Sequence, residues 1–370
     1  WRRATLSFTI EDRQYMARAI QLAAKGTYTT DPNPRVGCVL VRDGVIIGEG
    51  YHQRAGEGHA EVNALKAAGD ATGATAYVTL EPCSHFGRTP PCSQGLIDAG
   101  VTRVVAAMVD PNPEVAGKGI AMLKAAGIDA AAGLLESEAR ALNPGFLSRM
   151  ERGRPFVRLK LATSIDGRTA MASGESQWIT GPEARADVQR LRARSSAVIT
   201  GVGSVLQDDS ALTVREAQLP ASVVPLTEGR QPLRVVLDSQ GRLPASAQML
   251  ALPGRTLQVV AANDCNLLEG AEQVQLANEA GRIDLPQLLS YLAEKESCNE
   301  VLVECGAQLA GAMLEAGLVD ELVHYMAPKL MGSDARPLAE LPLTEMSEAI
   351  EMKLKDVRQF GHDLRMTWTV

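Results

Sequence analysis

Gly58-His59-Ala60-Glu61, Glu81-Pro82-Cys83 and Pro91-Cys92 carry one imidazole and two thiols at positions well separated along the chain. A fold that brings His59, Cys83 and Cys92 together makes three corners of a tetrahedral zinc site, because imidazole and thiolate are ligands that zinc favours. Three protein ligands leave the fourth position to water, as catalytic zinc sites do; a structural site is closed by a fourth side chain. Glu61 is not needed as a ligand, and it sits where a general acid/base must be to move protons beside the metal. The bland alternative is a set of unrelated buried side chains, or a structural zinc that borrows His52 or His85.

His-x-Glu followed by Pro-Cys is the first half of the signature of zinc-dependent base deaminases. The second half departs from it, since Ser84-His85-Phe86-Gly87-Arg88-Thr89-Pro90-Pro91 separates the cysteines where that signature has two residues. Ligands need only converge in space, so the insert does not break the site. It argues against the short-spaced cytidine and tRNA-adenosine deaminases.

The local pattern places these residues at strand ends and helix starts. Residues 11–25 have helical apolar spacing, and Asp31-Pro32-Asn33-Pro34 is a loop because each proline disfavours helix before it. Residues 36–41 and 45–47 are strands around an Asp43-Gly44 turn. A helix over 59–68 puts His59 and Glu61 in its first turn, at the positive end of its dipole. Residues 76–80 form a strand ending at Glu81, Cys92 opens a helix over 93–99, and strand 101–109, helix 118–126 and strand 128–134 follow. A hairpin followed by strand–helix alternation predicts a mixed sheet with flanking helices. Residues 136–147 read as helix. The charged stretch 149–154 separates two apolar patterns, giving expected domains of 1–150 and 151–370.

The second half is α/β. Strands are expected at 156–161, 196–200, 233–237, 256–262, 300–304, 322–326 and 364–370, with helices at 183–194, 285–295 and 306–316. Residues 216–230 and 241–254 read as loops. Two strands run into glycines, at Gly201-Val202-Gly203-Ser204 and at Gly306 to Gly311. Strand–glycine–helix units present N–H groups to phosphate, and two in one domain favour a nucleotide site over either alone.

Length fits two domains, and 45% hydrophobic with 22% charged residues is an ordinary globular balance. A net charge of −7 gives no general reason to expect a nucleic-acid partner. Apolar runs are far too short for a bilayer span, and no secretory leader is expected at the first residues. Six cysteines do not form a disulfide scaffold. Cys38, Cys265, Cys298 and Cys305 read as small buried hydrophobes with reduced thiols, in keeping with a cytoplasmic protein.

Asp31-Pro32-Asn33-Pro34, His59-Ala60-Glu61 and the run from Glu81 to Cys92 together resemble the bacterial bifunctional riboflavin-biosynthesis deaminase-reductases, in which the long cysteine spacing is itself a mark. The resemblance extends through the run from Leu159 to Arg168, Ser173 to Thr180, Thr200 to Arg215 and Glu304 to Gly311, and so covers nearly the whole chain. It implies a cytidine-deaminase-like N-terminal domain and a dihydrofolate-reductase-like C-terminal domain. It also implies zinc on His59, Cys83 and Cys92, Glu61 as proton shuttle, and Asn33, His52, His85 and Arg88 at the deaminase substrate. For the reductase it implies NADPH held by Ala162, Trp178, Ser204, Asp208, Ser239 and the turn Gly306, Ala307, Gln308, Leu309, Ala310, Gly311 and Ala312. Ser176, Arg192, Leu212, Arg215 and Glu304 would contact the substrate, with the two arginines suited to its phosphate. Glu304 and Asp208 are both open as proton donors. The implied substrate is a small phosphorylated diaminopyrimidinone, deaminated and then reduced at its ribosyl group, with no nucleic-acid or membrane partner and a homo-oligomer expected. Rival readings are a nucleic-acid base deaminase, and a structural zinc module joined to a nucleotide sensor.

Overall fold

A computed structural model describes residues 8–85, 90–113 and 115–370. The chain divides into two compact units, Trp1–Gly153 and Arg154–Val370.

In the first unit α1 (Ile10–Ala24) starts from a Thr9 capping box, Thr9 and Asp12 each satisfying the other's backbone N–H. There follow β1 (Gly37–Arg42), β2 (Val45–Tyr51), α2 (Ala60–Ala68), β3 (Thr75–Val78), α3 (Cys92–Asp98), β4 (Arg103–Ala106), α4 (Lys118–Ala125), β5 (Asp129–Ala132), α5 (Glu136–Leu142) and α6 (Pro144–Arg152). The sheet order is β2-β1-β3-β4-β5. The β1 pairings are antiparallel, while β3-β4 and β4-β5 are parallel. Asp43 and Gly44 both take positive φ at the β1–β2 turn, the backbone that a two-residue hairpin with the right twist needs.

Close backbone approach explains the glycines of β2. A Cβ on Gly50 would lie 2.4 Å from Ala64 N and 2.5 Å from Ala60 O, so only glycine lets α2 settle on the strand at that depth. That contact fixes the start of α2, where His59 and Glu61 stand. The helix expected over 136–147 is broken at Asn143 into α5 and α6, with Pro144 opening the second. Helix α6 then runs past residue 150 and stops at Gly153, whose φ of 66° is the left-handed conformation that ends helices.

The second unit contains β6 (Phe156–Ser164), β7 (Arg168–Ala170), α7 (Pro182–Arg194), β8 (Ala197–Gly201), α8 (Val202–Asp208), α9 (Val224–Thr227), β9 (Leu233–Leu237), β10 (Thr256–Val260), β11 (Glu272–Gln275), α10 (Leu285–Glu294), β12 (Glu300–Glu304), α11 (Ala307–Glu315), β13 (Glu321–Ala327), β14 (Arg336–Pro337), β15 (Lys353–Phe360) and β16 (Asp363–Thr369). Nine of these strands form one sheet in the order β11-β10-β9-β8-β12-β6-β13-β16-β15, with every pairing parallel except β13-β16 and β16-β15. Two cores cover its faces. One gathers Leu159, Leu161, Leu288, Leu292, Met313 and Leu314, the other Val188, Leu191, Val198, Val205, Val236 and Tyr325. Burying each such side chain contributes about 1.5–3 kcal/mol, which is what holds α7 on one face and α10 and α11 on the other.

Several elements differ from expectation, among them the short strands β7, β11 and β14. Residues 202–208 form α8 immediately after β8, and α9 lies within a stretch read as loop. Strand β15 was not expected, because an edge strand with Leu354 and Val357 exposed has no buried face to impose alternation.

Candidate active sites

His59 is the N-cap of α2 and makes no side-chain capping bond, so its imidazole is available. Cys92 is the first residue of α3, and Cys83 lies in the connection after β3. The ligand atoms of His59, Cys83 and Cys92 all fall within 4.8 Å of one another. His59 Nδ1 lies 3.2 Å from Cys92 Sγ and 3.7 Å from Cys83 Sγ. Ligands at the edges of a zinc tetrahedron are about 3.5–3.8 Å apart, given Zn–N and Zn–S lengths of about 2.0–2.3 Å, so these residues fit the ion. The sulfurs fit it chemically too. The Cys92 N–H donates to Cys83 Sγ at 3.2 Å, and Cys92 and His59 beside it hold the Cys83 thiol below its ordinary value, toward the thiolate that zinc binds. His59 is exposed on its outer side, leaving an approach for water or substrate.

Glu61 stands two residues into the same helical turn and is 4% exposed. Burial raises its carboxyl to about 7, against the opposing pull of its own backbone N–H and of His59. It lies outside the three-ligand cluster, in a state that can hold or release a proton near neutrality.

His52 is buried and packs edge-on against His59, with ring centres 5.7 Å apart. Its Nδ1 faces Gly58 O at 3.1 Å and must donate there, so Nε2 accepts from Asn33 Nδ2 at 3.2 Å. Burial lowers its pKa below the ordinary imidazole value. Asn33, His52 and the metal ligand therefore form one connected wall. His85 is exposed, and Arg88 lies outside the described residues.

The sequence reading gave Glu81 no role. Its carboxylate is buried and accepts from the N–H groups of Asp110 (3.0 Å), Gly117 (2.9 Å) and Ile120 (3.0 Å), capping the start of α4 from outside. Ser93 ties the neighbouring residues, with Oγ donating to Pro82 O and N to Cys83 O, both at 3.1 Å. Glu81 thereby anchors the segment that carries Cys83.

The second unit has a cavity of about 370 Å³ where the C-terminal ends of β6, β8 and β12 meet α7 and α8. Parallel sheets place their ligands at such an edge. Ala162, Ser176, Trp178, Arg192, Ser204, Asp208, Leu212, Arg215, Glu304, Gly306 and Ala307 line it. Ser239, Gln308, Leu309, Ala310, Gly311 and Ala312 do not. Ala310 is fully buried in the core, and a Cβ on Gly311 would lie 1.9 Å from Glu340 O, so that glycine serves close packing of α11. Gly306 and Ser204 line this cavity from the two glycine-containing turns, and an added Cβ at Gly306 or Gly203 would meet nothing within 4 Å. That free space beside two helix starts fits the phosphates of a dinucleotide.

Arg192 and Glu304 form a bidentate pair, with Nε to Oε1 at 2.6 Å and Nη2 to Oε2 at 2.9 Å, and Arg192 Nη1 donates to Thr213 O at 3.0 Å. Burial would raise the Glu304 carboxyl, but Arg192, Lys160 and Arg215 together hold it below its ordinary value. Burial raises Asp208. Arg215 lines the cavity with an exposed side chain, and among the described residues its guanidinium makes no hydrogen bond or ion pair. Lys160 was missed by the sequence reading. It lines the same cavity, with Nζ 4.0 Å from Glu304 Oε2 and its pKa lowered by burial. A lysine on an inner strand of a parallel sheet, covered on both faces, was the available signal.

Residues 9–108 match the cytidine and deoxycytidylate deaminase zinc-binding region, and residues 155–366 match the RibD C-terminal domain. The riboflavin biosynthesis protein RibD of Escherichia coli is 54% identical, over 96% of this chain and 98% of the relative. That of Haemophilus influenzae is 50% identical, over 98% and 99%. Among solved structures, Acinetobacter baumannii RibD superposes with a TM-score of 0.89 at 47% identity, covering 97% of this chain and 98% of the other. The Thermotoga maritima diaminohydroxyphosphoribosylaminopyrimidine deaminase/5-amino-6-(5-phosphoribosylamino)uracil reductase gives 0.86 at 33%, with the same coverage.

Proposed function

The chain belongs to the RibD family of bifunctional riboflavin-biosynthesis enzymes, and on that premise we propose how its own residues divide the two reactions. It is a zinc-dependent deaminase and an NADPH-dependent reductase in one chain. The phosphorylated diaminopyrimidinone loses its ring 2-amino group, and the resulting 5-amino-6-(5-phosphoribosylamino)uracil is reduced to its ribityl form.

Deamination is assigned to residues 1–150 and reduction to 151–370, in line with the separate matches of the two halves. His59, Cys83 and Cys92 hold the zinc, which supplies the Lewis acidity that makes water nucleophilic near neutral pH. Glu61 takes a proton from the attacking water and returns protons to the ring nitrogen and the departing amine. Asn33 and His52 present amide and imidazole groups to the pyrimidine. His85 and Arg88, on the insert, are assigned to the same substrate.

For the second reaction NADPH, when bound, would supply the hydride that reduces the ribosyl carbon. Ala162, Trp178, Ser204, Asp208 and the Gly306–Ala307 turn line the side of the cavity assigned to it, and Ser239 and the rest of the first turn of α11 extend that assignment beyond the cavity. Arg215 takes the substrate phosphate, because its guanidinium is the unengaged one. Arg192, already paired with Glu304, orients that carboxylate toward the substrate while Ser176 and Leu212 shape the wall. Of the two proton-donor candidates, Asp208 is the one whose carboxyl is raised by burial, whereas Glu304, held low by its cationic neighbours, serves as a hydrogen-bond acceptor.

A homo-oligomer and a cytoplasmic location complete the proposal. The exposed edge of β15 supports the first. No helix among the described residues is long and apolar enough to cross a membrane.

The convergence of His59, Cys83 and Cys92 beside buried Glu61 carries this reading. It is tested in one tube, with NADPH added only after ammonia release has stopped. The parent should give ammonia and then NADPH oxidation. Glu61→Gln should keep its zinc, lose deamination by about 10²–10⁴-fold, and still reduce the deaminated substrate. Ammonia release by Glu61→Gln at the parent rate would remove Glu61 from the chemistry.

A further inference from the structure

Residues 212–215 belong to no strand, yet their backbone is hydrogen-bonded as closely as a strand's. Thr213 O accepts from Arg192 Nη1 at 3.0 Å. Val214 N–H donates to Gln231 Oε1 at 2.8 Å, and Gln231 Nε2 donates back to Val214 O at 3.1 Å. Arg215 N–H donates to Gln189 Oε1 at 2.8 Å. Consecutive peptide groups that would normally pair with a neighbouring strand are satisfied here by three side chains. Leu212 and Val214 are buried, while Arg215 emerges into the cavity. The segment is entered through Leu212 at φ 52°, a left-handed backbone that a branched residue adopts only when its surroundings impose it.

Of the three side chains, Gln189 and Arg192 themselves line the cavity, but Gln231 does not. Gln231 stands just before β9 and touches this segment through both atoms of its amide. The two bonds fix its orientation, since a flipped amide would set N–H against N–H and oxygen against oxygen. We propose that Gln231 is a positioning residue for phosphate recognition, holding the Val214 peptide so that the Arg215 guanidinium is aimed at the substrate phosphate before substrate arrives. The inference rests on the assignment of Arg215 to that phosphate. A long arginine has many rotamers, and fixing the peptide that precedes it sets the point and direction from which its side chain reaches the cavity. Preorganisation of this kind appears in binding, because the cost of ordering the loop is met in folding.

The test uses the full-length, zinc-loaded chain with saturating NADPH and the deaminated pyrimidine phosphate, comparing the parent, Gln231→Leu, Arg215→Ala and the double variant. Gln231→Leu should raise the substrate KM about tenfold with kcat and the KM for NADPH within about twofold, the pattern of lost ground-state binding. In the Arg215→Ala background the same change should add little, since the two act through one contact. Inorganic phosphate, used as a competitive inhibitor, should weaken in parallel with the KM. Gln231→Glu keeps the acceptor for Val214 N–H but sets a carboxylate against Val214 O. It should fall between parent and Gln231→Leu, and it carries the test if the leucine variant does not fold. An equal KM rise in the Arg215→Ala background would overturn the positioning role, and so would an unchanged KM in Gln231→Leu and Gln231→Glu when Arg215→Ala alone is impaired. An unchanged KM in Arg215→Ala would instead overturn the phosphate assignment beneath it.

Discussion

Glu81 touches neither metal nor substrate in the reading above, yet its removal should disable the deaminase. Its carboxylate takes three backbone N–H groups, at 2.9 to 3.0 Å, two of them from the first turn of α4 and the residue before it. A hydrogen bond to a charged group is worth about 1.5–3 kcal/mol net, and a carboxylate at a helix start adds about 0.3–1 kcal/mol. Part of that sum offsets the cost of burying the charge, so Glu81→Ala should cost the first unit about 3–5 kcal/mol, because it leaves three backbone donors without their acceptor. That is a large fraction of the roughly 5–15 kcal/mol that holds a domain. Glu81→Gln offers one acceptor oxygen in place of two and turns an NH₂ toward a backbone N–H, so it should lie between. The same segment can be pushed from the other side. Gly119→Ala would put a Cβ 2.0 Å from Pro82 O, with the Glu81 side chain next nearest. All three variants displace the residue adjoining Cys83, so zinc content after dialysis against a competing chelator should fall in the order parent, Gln, Ala. Ammonia release should drop with it, while reduction of the deaminated substrate by the same chain gives the reference rate. Parent zinc content and parent ammonia release in both Glu81→Ala and Gly119→Ala would refute the anchoring role.

Chelation of zinc from the parent should stop ammonia release and leave NADPH oxidation on the deaminated substrate intact, with zinc restoring the first activity; loss of both activities together would count against independent sites. The Asp12 carboxyl is held well below its ordinary value, chiefly by Arg103, whose guanidinium meets both oxygens at 2.7 and 3.0 Å. A depressed folded pKa stabilises above the unfolded value of about 3.9 and is lost as pH falls toward the folded one. Urea midpoints of the first unit should therefore decline below about pH 4 in the parent and decline less in Asp12→Asn; equal acid limbs would show that the pair does not govern acid stability.

What the sequence discloses about this molecule follows from how chemistry constrains residue type. Zinc accepts few donors, so one histidine, two cysteines and a spare glutamate are readable at any spacing that a fold can close, and the hairpin turn at Asp43-Gly44 is readable because positive φ excludes most residues. Glu81 is different, because its value lies in three backbone N–H groups contributed by residues 110–120, and backbone donors leave no trace in residue type. Strand β15 has the same difficulty in another form. With solvent on both sides, Lys353-Leu354-Lys355-Asp356 need not alternate, and only pairing with β16 makes it a strand.

The reductase cavity shows where the boundary lies. Arg192, Arg215 and Glu304 are equivalent as letters, three charged residues near glycines. Only the bidentate contact between Arg192 and Glu304 separates an arginine already committed to a carboxylate from one left for an anion. Lys160 could have been found, since a cation on a strand buried between two helix layers needs a reason to be there. Gln231 could not. A glutamine before a strand is unremarkable in composition, and its partner is the peptide of Val214, seventeen positions earlier and in no regular element. The residues that perform chemistry are chosen for their side chains and can be read from sequence. Those that aim them are chosen for the geometry of a backbone elsewhere, and that geometry exists only once the sheet has formed.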